Sequence, residues 1–201
     1  EALWDVLGAS FRDTPEVRAD SLEEKSPFPG LAAFTRDDAA SFFGRERETD
    51  AFLNRLRVQP LLAVAGPSGA GKSSFVQAGV VPALPPEWQA ITVRPGPAPL
   101  ATLAARVGDG DLGALLRARA AERGGTVLVV IDQLEELFTL CEDPAERAAY
   151  ADALVRAARS ADDPVRVVVT LRDDFLLHAG ALPAFRARLG QGLQLLTTPA
   201  A

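Results

Sequence analysis

The chain has 201 residues, 48% of them hydrophobic, and its formal net charge at pH 7 is −6. This length allows one domain, or one domain with a tail, and the apolar content is enough for a core. The negative charge argues against a dedicated nucleic-acid binder, and the short apolar runs indicate no membrane span or membrane partner.

Two residue types that often carry chemistry occur only once each, as Cys141 and His178. A single cysteine excludes an internal disulfide and is typical of a reducing compartment, so we expect a cytoplasmic protein. A single histidine argues against zinc clusters and histidine-based triads. The sequence has no methionine, and we therefore expect it to be a piece of a longer protein.

The chain divides into a short N-terminal segment and a globular part. Residues 1–26 are charged with a weak apolar pattern, and we expect them to form a helix and a linker from an upstream region. Two nearby prolines mark the start of the globular part, residues 27–201.

The globular part is predicted to open with two helices. Thr35 is suited to cap a short helix that has Asp38 at its third position. Gly44 breaks the chain, and an amphipathic helix is predicted over Glu46–Arg57.

The remainder alternates apolar runs with helical patterns. Strands are predicted at Leu61–Ala65, Ala90–Val93, Val127–Ile131, Val165–Thr170 and Leu193–Leu196. Helices are predicted at Ser73–Ala78, Leu100–Val107, Leu112–Arg123, Pro144–Arg159 and Ala181–Leu189. Continuous apolar strands are expected where helices cover both faces of a sheet. The pattern therefore predicts a three-layer α/β fold with a mainly parallel five-stranded sheet and right-handed crossovers.

The run from Gly66 to Ser73, GPSGAGKS, fits the phosphate-binding P-loop G-x-x-x-x-G-K-[ST]. An apolar strand precedes it and a helix can open at its end, which is the context this motif needs. Glycines let backbone N–H groups point at phosphate oxygens, and the helix start adds partial positive charge. The sequence thus predicts a nucleotide site formed by Gly66, Pro67, Ser68, Gly69, Ala70, Gly71, Lys72, Ser73 and Ser74.

Three side chains are predicted to serve the phosphates and a magnesium ion. Lys72 is expected to reach the terminal phosphates, and the Ser73 hydroxyl to ligate Mg²⁺. Asp132 ends an apolar strand, and ligands of parallel sheets bind beyond the carboxyl ends of the strands. We therefore expect Asp132 near the same ion, in the Walker B position.

Further charged residues follow the predicted strands. Glu135 or Glu136 is a candidate to orient or deprotonate the attacking water, with Glu136 favoured, although acidic residues also suit a helix start. Arg172 ends another apolar strand. If that strand lies beside the P-loop strand, Arg172 can reach the γ-phosphate; alternatively, it pairs with Asp173 or Asp174.

Together these residues resemble the STAND class of AAA-related signalling NTPases, in its bacterial novel STAND branch, which is related to the NACHT and NB-ARC modules. The resemblance covers residues 27 to about 198. The matching stretches are Pro27 to Leu31 with Phe34 and Asp38, Phe42 to Glu46, Gly66 to Ser74 with Gly79 and Pro82 to Leu84, Asp132 to Phe138, and Thr170 to Phe175.

The resemblance implies an AAA-like P-loop core of the ASCE group that binds ATP or ADP with Mg²⁺. In this family the backbone of the hhGRE motif holds the adenine, which implies base contacts from Phe43, Gly44 and Arg45. Family members are switches that hydrolyse ATP slowly, form homo-oligomers when activated, and carry effector and sensor domains in the same polypeptide. A helical lid and a winged helix usually follow, and neither fits after Leu196.

Two other functions remain open from the sequence. A scaffold that holds nucleotide without turnover would carry the same motifs. Guanylate kinases share this P-loop, but they need a pocket rich in tyrosine and arginine for the nucleoside monophosphate. The chain has one tyrosine, Tyr150, which argues against the kinase.

Overall fold

Five parallel strands form the centre of the computed structural model, which describes residues 33–197. The predicted N-terminal helix and linker, residues 1–26, and the matching stretch 27–31 lie outside these residues. In chain order the strands are β1 (Leu61–Gly66), β2 (Trp88–Val93), β3 (Thr126–Ile131), β4 (Val165–Arg172) and β5 (Leu193–Leu195).

The strand order across the sheet is β2-β3-β4-β1-β5, so β4 lies between the P-loop strand and the strand that leads to Asp132. The register pairs Gly66 on β1 with Arg172 on β4, and Ile131 on β3 with Val169 on β4. Because all pairs are parallel, the carboxyl ends of β1, β3 and β4 lie side by side.

Helices cover both faces of the sheet. They are α1 (Glu46–Val58), α2 (Lys72–Ser74, continued as a π-helix over Phe75–Val80), α3 (Pro99–Val107), α4 (Leu112–Arg123), α5 (Glu136–Thr139), α6 (Pro144–Ala157), α7 (Leu176–Ala181) and α8 (Pro183–Leu189). Short 3₁₀-helices occur at Arg36–Ser41 and Asp173–Phe175. None of the helices within residues 33–197 is long and apolar enough to cross a bilayer.

Alternation along the strands divides the core into two layers. Even-numbered strand residues such as Val64 and Val130 pack with Phe52 of α1 and Phe75 of α2. Odd-numbered strand residues pack on the opposite face against α3, α4, α6 and α8. The predicted three-layer α/β fold with a five-stranded sheet is therefore confirmed, and the sheet is entirely parallel within the described residues.

Several element boundaries differ from the predictions. The helix predicted over Ala181–Leu189 starts at Pro183 instead, as α8, and α7, which ends at Ala181, was not predicted. Proline lacks a backbone N–H and is tolerated at the first turn of a helix, so it starts a new helix there. The helix predicted over Pro144–Arg159 ends at Ala157, and β4 extends beyond Thr170 to Arg172.

The predicted cap of the first short helix is present. The Thr35 backbone N–H and hydroxyl both donate to Asp38 Oδ2, at 2.9 Å and 2.7 Å. The helix predicted over Ser73–Ala78 is instead mostly π-helical. In that stretch Gly79 lies against the Phe42 ring, and a Cβ there would come 2.9 Å from Phe42 Cε1.

Candidate nucleotide site

The P-loop connects β1 to α2 through two glycines in the left-handed region. The φ angles of Gly69 and Gly71 are +78° and +81°, values that strain other residues. A Cβ at either position would meet no atom within 4 Å, so backbone conformation rather than space requires glycine. Gly66 differs, because a Cβ there would collide with the carbonyl oxygen of Leu196.

The Lys72 ammonium is bound to the loop from which it arises. Its Nζ donates to the carbonyl oxygens of Gly66, at 2.9 Å, and Pro67, at 2.8 Å. Burial lowers the pKa of Lys72, while the negative charge of Glu135 acts in the opposite direction. The Lys72 charge is thus partly removed from water at the carboxyl end of β1, where phosphates are predicted to bind.

Asp132 joins the P-loop to two neighbouring strands. The Ser73 hydroxyl donates to Asp132 Oδ1 at 2.6 Å, and the Thr170 hydroxyl donates to the same oxygen at 2.8 Å. Asp132 is only 3% exposed. Ser73 and Asp132, predicted from separate motifs, are therefore in direct contact.

Thr170 was not predicted as a site residue. Besides donating to Asp132, its Oγ accepts a hydrogen bond from the Gln133 backbone N–H at 2.9 Å. Gln133 has a φ of +60° and is the only non-glycine residue within 33–197 with positive φ. Thr170 therefore stabilises the turn by which the chain leaves β3 after Asp132. The available signal was a hydroxyl side chain directly after the apolar run Val167 to Val169.

The oxygen groups at this position fit a magnesium ion. A hydroxyl and a buried carboxylate lie in contact, and Mg²⁺ prefers oxygen ligands. Within the described residues, no group of three or more His, Cys, Asp and Glu side chains could hold a metal by itself. Mg²⁺ usually takes its remaining ligands from substrate phosphates and water, so Ser73 and Asp132 are a sufficient protein contribution.

Arg94 is a second residue that the sequence analysis missed. It follows β2, and its Nε and Nη2 lie 3.4 Å and 3.3 Å from Asp132 Oδ2. Its position directly after an apolar strand is the signal that singled out Arg172. β2 is next to β3 in the sheet, and this places Arg94 beside Asp132.

The two candidate glutamates point to different surroundings. Glu135 Oε2 accepts a hydrogen bond from the Arg172 backbone N–H at 3.3 Å, and its charge acts on Lys72. Glu136 Oε2 instead accepts from the Gly96 backbone N–H at 3.0 Å. Glu136 also adds to the effect of burial in raising the pKa of Tyr150. Glu135, rather than Glu136, therefore lies on the side of Lys72 and Arg172.

Arg172 lies at the predicted position but has partners of its own. It is opposite Gly66 in the sheet register. Its Nε donates to Asp174 Oδ1 at 3.1 Å, and its guanidinium lies 5.6 Å from the centre of the Phe175 ring. The described conformation thus has the Asp174 pairing that the sequence left as the alternative to γ-phosphate contact.

The hhGRE segment lies against the P-loop. Arg45 is buried, and its Nη2 donates to the carbonyl oxygens of Ala70, at 3.4 Å, and Thr197, at 2.7 Å. The Phe34 backbone N–H donates to Ser74 Oγ at 3.1 Å. Phe43 is 77% exposed. Two of the residues predicted to contact the base therefore have different side-chain orientations: Arg45 faces the P-loop and Phe43 faces solvent.

Gly44 makes the turn between these two orientations. Its φ of +91° lies in the region that favours glycine. Its backbone N–H donates to Glu46 Oε1 at 2.9 Å, and this hydrogen bond lowers the pKa of Glu46. A cavity of about 300 Å³ opens beside this turn, lined by Phe42, Arg45, Thr49, Gly79 and Pro82 among others.

A family model described as "nSTAND1: Novel STAND NTPase 1" matches residues 27–201. The chain belongs to the novel STAND NTPase 1 family. The predicted resemblance to STAND NTPases is thereby confirmed, and the P-loop site is that of a STAND-type NTPase domain.

Solved structures show the same fold. The Walker-type ATPase PABY2304 of Pyrococcus abyssi superposes on the STAND domain with a TM-score of 0.56 and 16% identity, covering 82% of this chain and 55% of that one. The Aeropyrum pernix ORC2 protein in ADPNP–ADP complexes gives a TM-score of 0.52 and 18% identity over 79% of this chain and 48% of that one. Its ADP form gives 0.53 and 17%, covering 86% and 50%.

The chain thus spans about half the length of these structural neighbours. At these identities the likeness concerns the fold. None of the curated proteins compared with the chain matches it.

Removal of the Thr170 hydroxyl should destabilise the domain, because this hydroxyl supports Asp132 and the turn at Gln133. In Thr170→Val, the Gln133 N–H loses its acceptor and Asp132 loses a donor, so we expect the free energy of unfolding to fall by about 1–3 kcal/mol. Thr170→Ser keeps the hydroxyl and serves as the control. Chemical denaturation measures both. Equal stability of the valine variant and the parent would contradict the supporting role of Thr170.

Proposed function

We propose that this domain binds ATP or ADP together with Mg²⁺ and hydrolyses ATP slowly, as the nucleotide module of a switch protein. The observation that carries the proposal is the 2.6 Å hydrogen bond between Ser73 and Asp132. It joins the end of the P-loop to the end of β3, and both residues were predicted to serve the same ion. A glycine-rich turn without this function would have no need of a buried carboxylate beside its serine.

The phosphates would lie in the loop from Gly66 to Ser74. Lys72 would exchange its contacts with the loop carbonyls for contacts with the terminal phosphates. Ser73 and Asp132 would hold Mg²⁺, which neutralises phosphate charge when bound. The base would lie next to Phe43–Arg45, where the cavity beside α2 offers about 300 Å³.

Hydrolysis would depend on Glu135. Its carboxylate is anchored through the Arg172 backbone N–H at the carboxyl end of β4, and its charge acts on Lys72. A carboxylate in that position can orient a water molecule and accept its proton. Glu136 would instead fix the loop at Gly96.

Arg172 would make the site respond to the γ-phosphate. In the described conformation its guanidinium is paired with Asp174, and a γ-phosphate would offer a competing partner. A ligand shifts a two-state equilibrium only through its different affinities for the two states. Exchange of Asp174 for phosphate supplies such a difference between ATP and ADP.

The wider parts of the proposal depend on family membership. By resemblance to STAND proteins of this branch, we propose that the activated full-length protein forms homo-oligomers and carries effector and sensor domains in the same polypeptide. We also propose a bacterial source and a cytoplasmic location. We also propose residues 27–201 as the NTPase unit, preceded by a linker.

A scaffold that retains nucleotide without turnover is the second candidate. The specific observation in its favour is the Asp174 pairing of Arg172, which withdraws a cation from the γ-phosphate. Calorimetric titration with ATP and ADP, combined with a turnover assay on the same preparation, separates the two functions. Binding with measurable turnover supports the slow ATPase, and binding without turnover supports the scaffold.

Lys72→Ala is expected to weaken ATP binding by at least about tenfold, because hydrogen bonds from a charged donor contribute about 1.5–3 kcal/mol. The fold should persist, since the hydrogen bonds of the Lys72 ammonium go to loop carbonyls and not to the core. Isothermal titration calorimetry measures the affinity, and the other lysine of the chain, Lys25, provides the control as Lys25→Ala. Parental affinity in Lys72→Ala would refute the P-loop assignment.

The glutamates should separate in a turnover assay. Glu135→Gln is expected to slow hydrolysis by about 100-fold or more, the usual contribution of a general base, and to leave ATP affinity nearly unchanged. Glu136→Gln is the matched control, and we expect a smaller effect. A larger loss of turnover in the Glu136 variant than in the Glu135 variant would reverse our assignment. Parental turnover in both variants would show that neither glutamate takes part in hydrolysis.

Arg172 and its partner should have opposite effects on nucleotide preference. Arg172→Ala is expected to remove any preference for ATP over ADP while ADP affinity stays nearly unchanged. Asp174→Ala releases the guanidinium from its carboxylate, so it should raise that preference. Competition titrations with the two nucleotides measure the ratio. An unchanged ratio in both variants would show that Arg172 does not contact the γ-phosphate.

A further inference from the structure

The two carboxylate oxygens of Asp132 have different partners. Oδ1 accepts from the hydroxyls of Ser73 and Thr170, at 2.6 Å and 2.8 Å. Oδ2 faces the Arg94 guanidinium, at 3.3 Å and 3.4 Å. A carboxylate oxygen accepts about two hydrogen bonds, so Oδ1 is fully used. Oδ2 is therefore the oxygen left to face a metal ion or its water, and Arg94 lies next to it.

A buried carboxylate needs a compensating positive charge. The Asp132 side chain is 5% exposed, and its salt-bridge partner within the described residues is Arg94. The Lys72 ammonium is bound to the carbonyls of Gly66 and Pro67 instead. In the described conformation Arg94 thus supplies the charge that a divalent cation would also supply.

The contact of Arg94 is suited to displacement. Its side chain is 55% exposed, and both of its distances to Oδ2 are at the long end for a charged pair. A cavity of about 410 Å³ lies beside it, lined by Thr92, Val93, Arg94, Thr102 and Arg106. The guanidinium can therefore move away from Oδ2 without disturbing the core.

We propose that Arg94 is a built-in counter-ion of Asp132 that competes with Mg²⁺ at Oδ2. Arg94 is a positioning residue that acts through Asp132 and does not bind nucleotide itself. The domain would therefore need a higher Mg²⁺ concentration to fill the site than it would without Arg94, and it would take up the ion by displacing the guanidinium. This inference is based on the proposed nucleotide site but concerns its dependence on the metal.

The test compares Arg94→Gln with the parent chain in calorimetric titrations of ADP and ATP, from EDTA to saturating Mg²⁺. Removal of a competing, half-exposed charge of this kind should lower the half-saturating Mg²⁺ concentration by about three- to fivefold. Nucleotide affinity in EDTA should stay within about twofold. Arg94→Lys should lie near the parent, because it keeps the charge. Arg106→Gln removes a charge from the same cavity and should change neither quantity.

A double-mutant cycle assigns the effect to Asp132. In an Asp132→Asn background, Arg94→Gln should no longer change the Mg²⁺ dependence. Direct Mn²⁺ binding without nucleotide, read by electron paramagnetic resonance, tests the competition independently of the nucleotide. Arg94→Gln should then bind Mn²⁺ about three- to fivefold more tightly than the parent.

Three results would overturn the inference. Unchanged Mg²⁺ and Mn²⁺ dependence in Arg94→Gln would show that Arg94 does not compete. A higher Mg²⁺ requirement would show that it supports the metal. A tenfold loss of nucleotide affinity in EDTA would make Arg94 a phosphate ligand. Failure of the parent chain to bind any nucleotide refutes the proposed function instead, and the Mn²⁺ measurement still decides the role of Arg94.

Discussion

The hydrogen bonds to Asp132 Oδ1 are the interaction on which the candidate site depends. They connect Ser73 at the end of the P-loop, Asp132 after β3 and Thr170 on β4, three segments that are distant in sequence. Because the carboxylate is buried, leaving it without these donors would cost several kcal/mol. The same contacts that satisfy Asp132 therefore hold the P-loop in a fixed position relative to the sheet.

The sheet makes this arrangement possible through its strand order. Because β4 lies between β1 and β3, the carboxyl ends of these three strands place Gly66, Arg172 and Asp132 next to each other. Continuous apolar strands bury both faces of the sheet, so the register is held by core packing on each side. The polar residues at the strand ends can then be specialised for the site, since they contribute little to the core.

The sequence predicted the parts of the site that depend on local pattern. Lys72, Ser73 and Asp132 stand at fixed offsets within a strand–loop–helix run or at the end of an apolar strand. Thr170 and Arg94 were missed because their importance depends on which strands are neighbours, and a single sequence does not encode that directly. The choice between Glu135 and Glu136 depends on the turn at Gln133, whose positive φ no local pattern predicts for this residue type. The start of α8 was predicted two residues early, at Ala181 instead of Pro183, and α7 (Leu176–Ala181) was not predicted.

The cations around the P-loop all have internal partners in the described conformation. Lys72 and Arg45 bind backbone carbonyls, Arg172 pairs with Asp174, and Arg94 pairs with Asp132. Nucleotide binding at such a site exchanges one set of partners for another, so affinity is the difference between two sets of similar contacts. This favours discrimination between ligands over tight binding, because each exchange occurs only if the ligand supplies the matching charge. A γ-phosphate would release Arg172, and a divalent cation would release Arg94. In the proposed switch, the site would thus respond to the phosphate and to the metal through different residues.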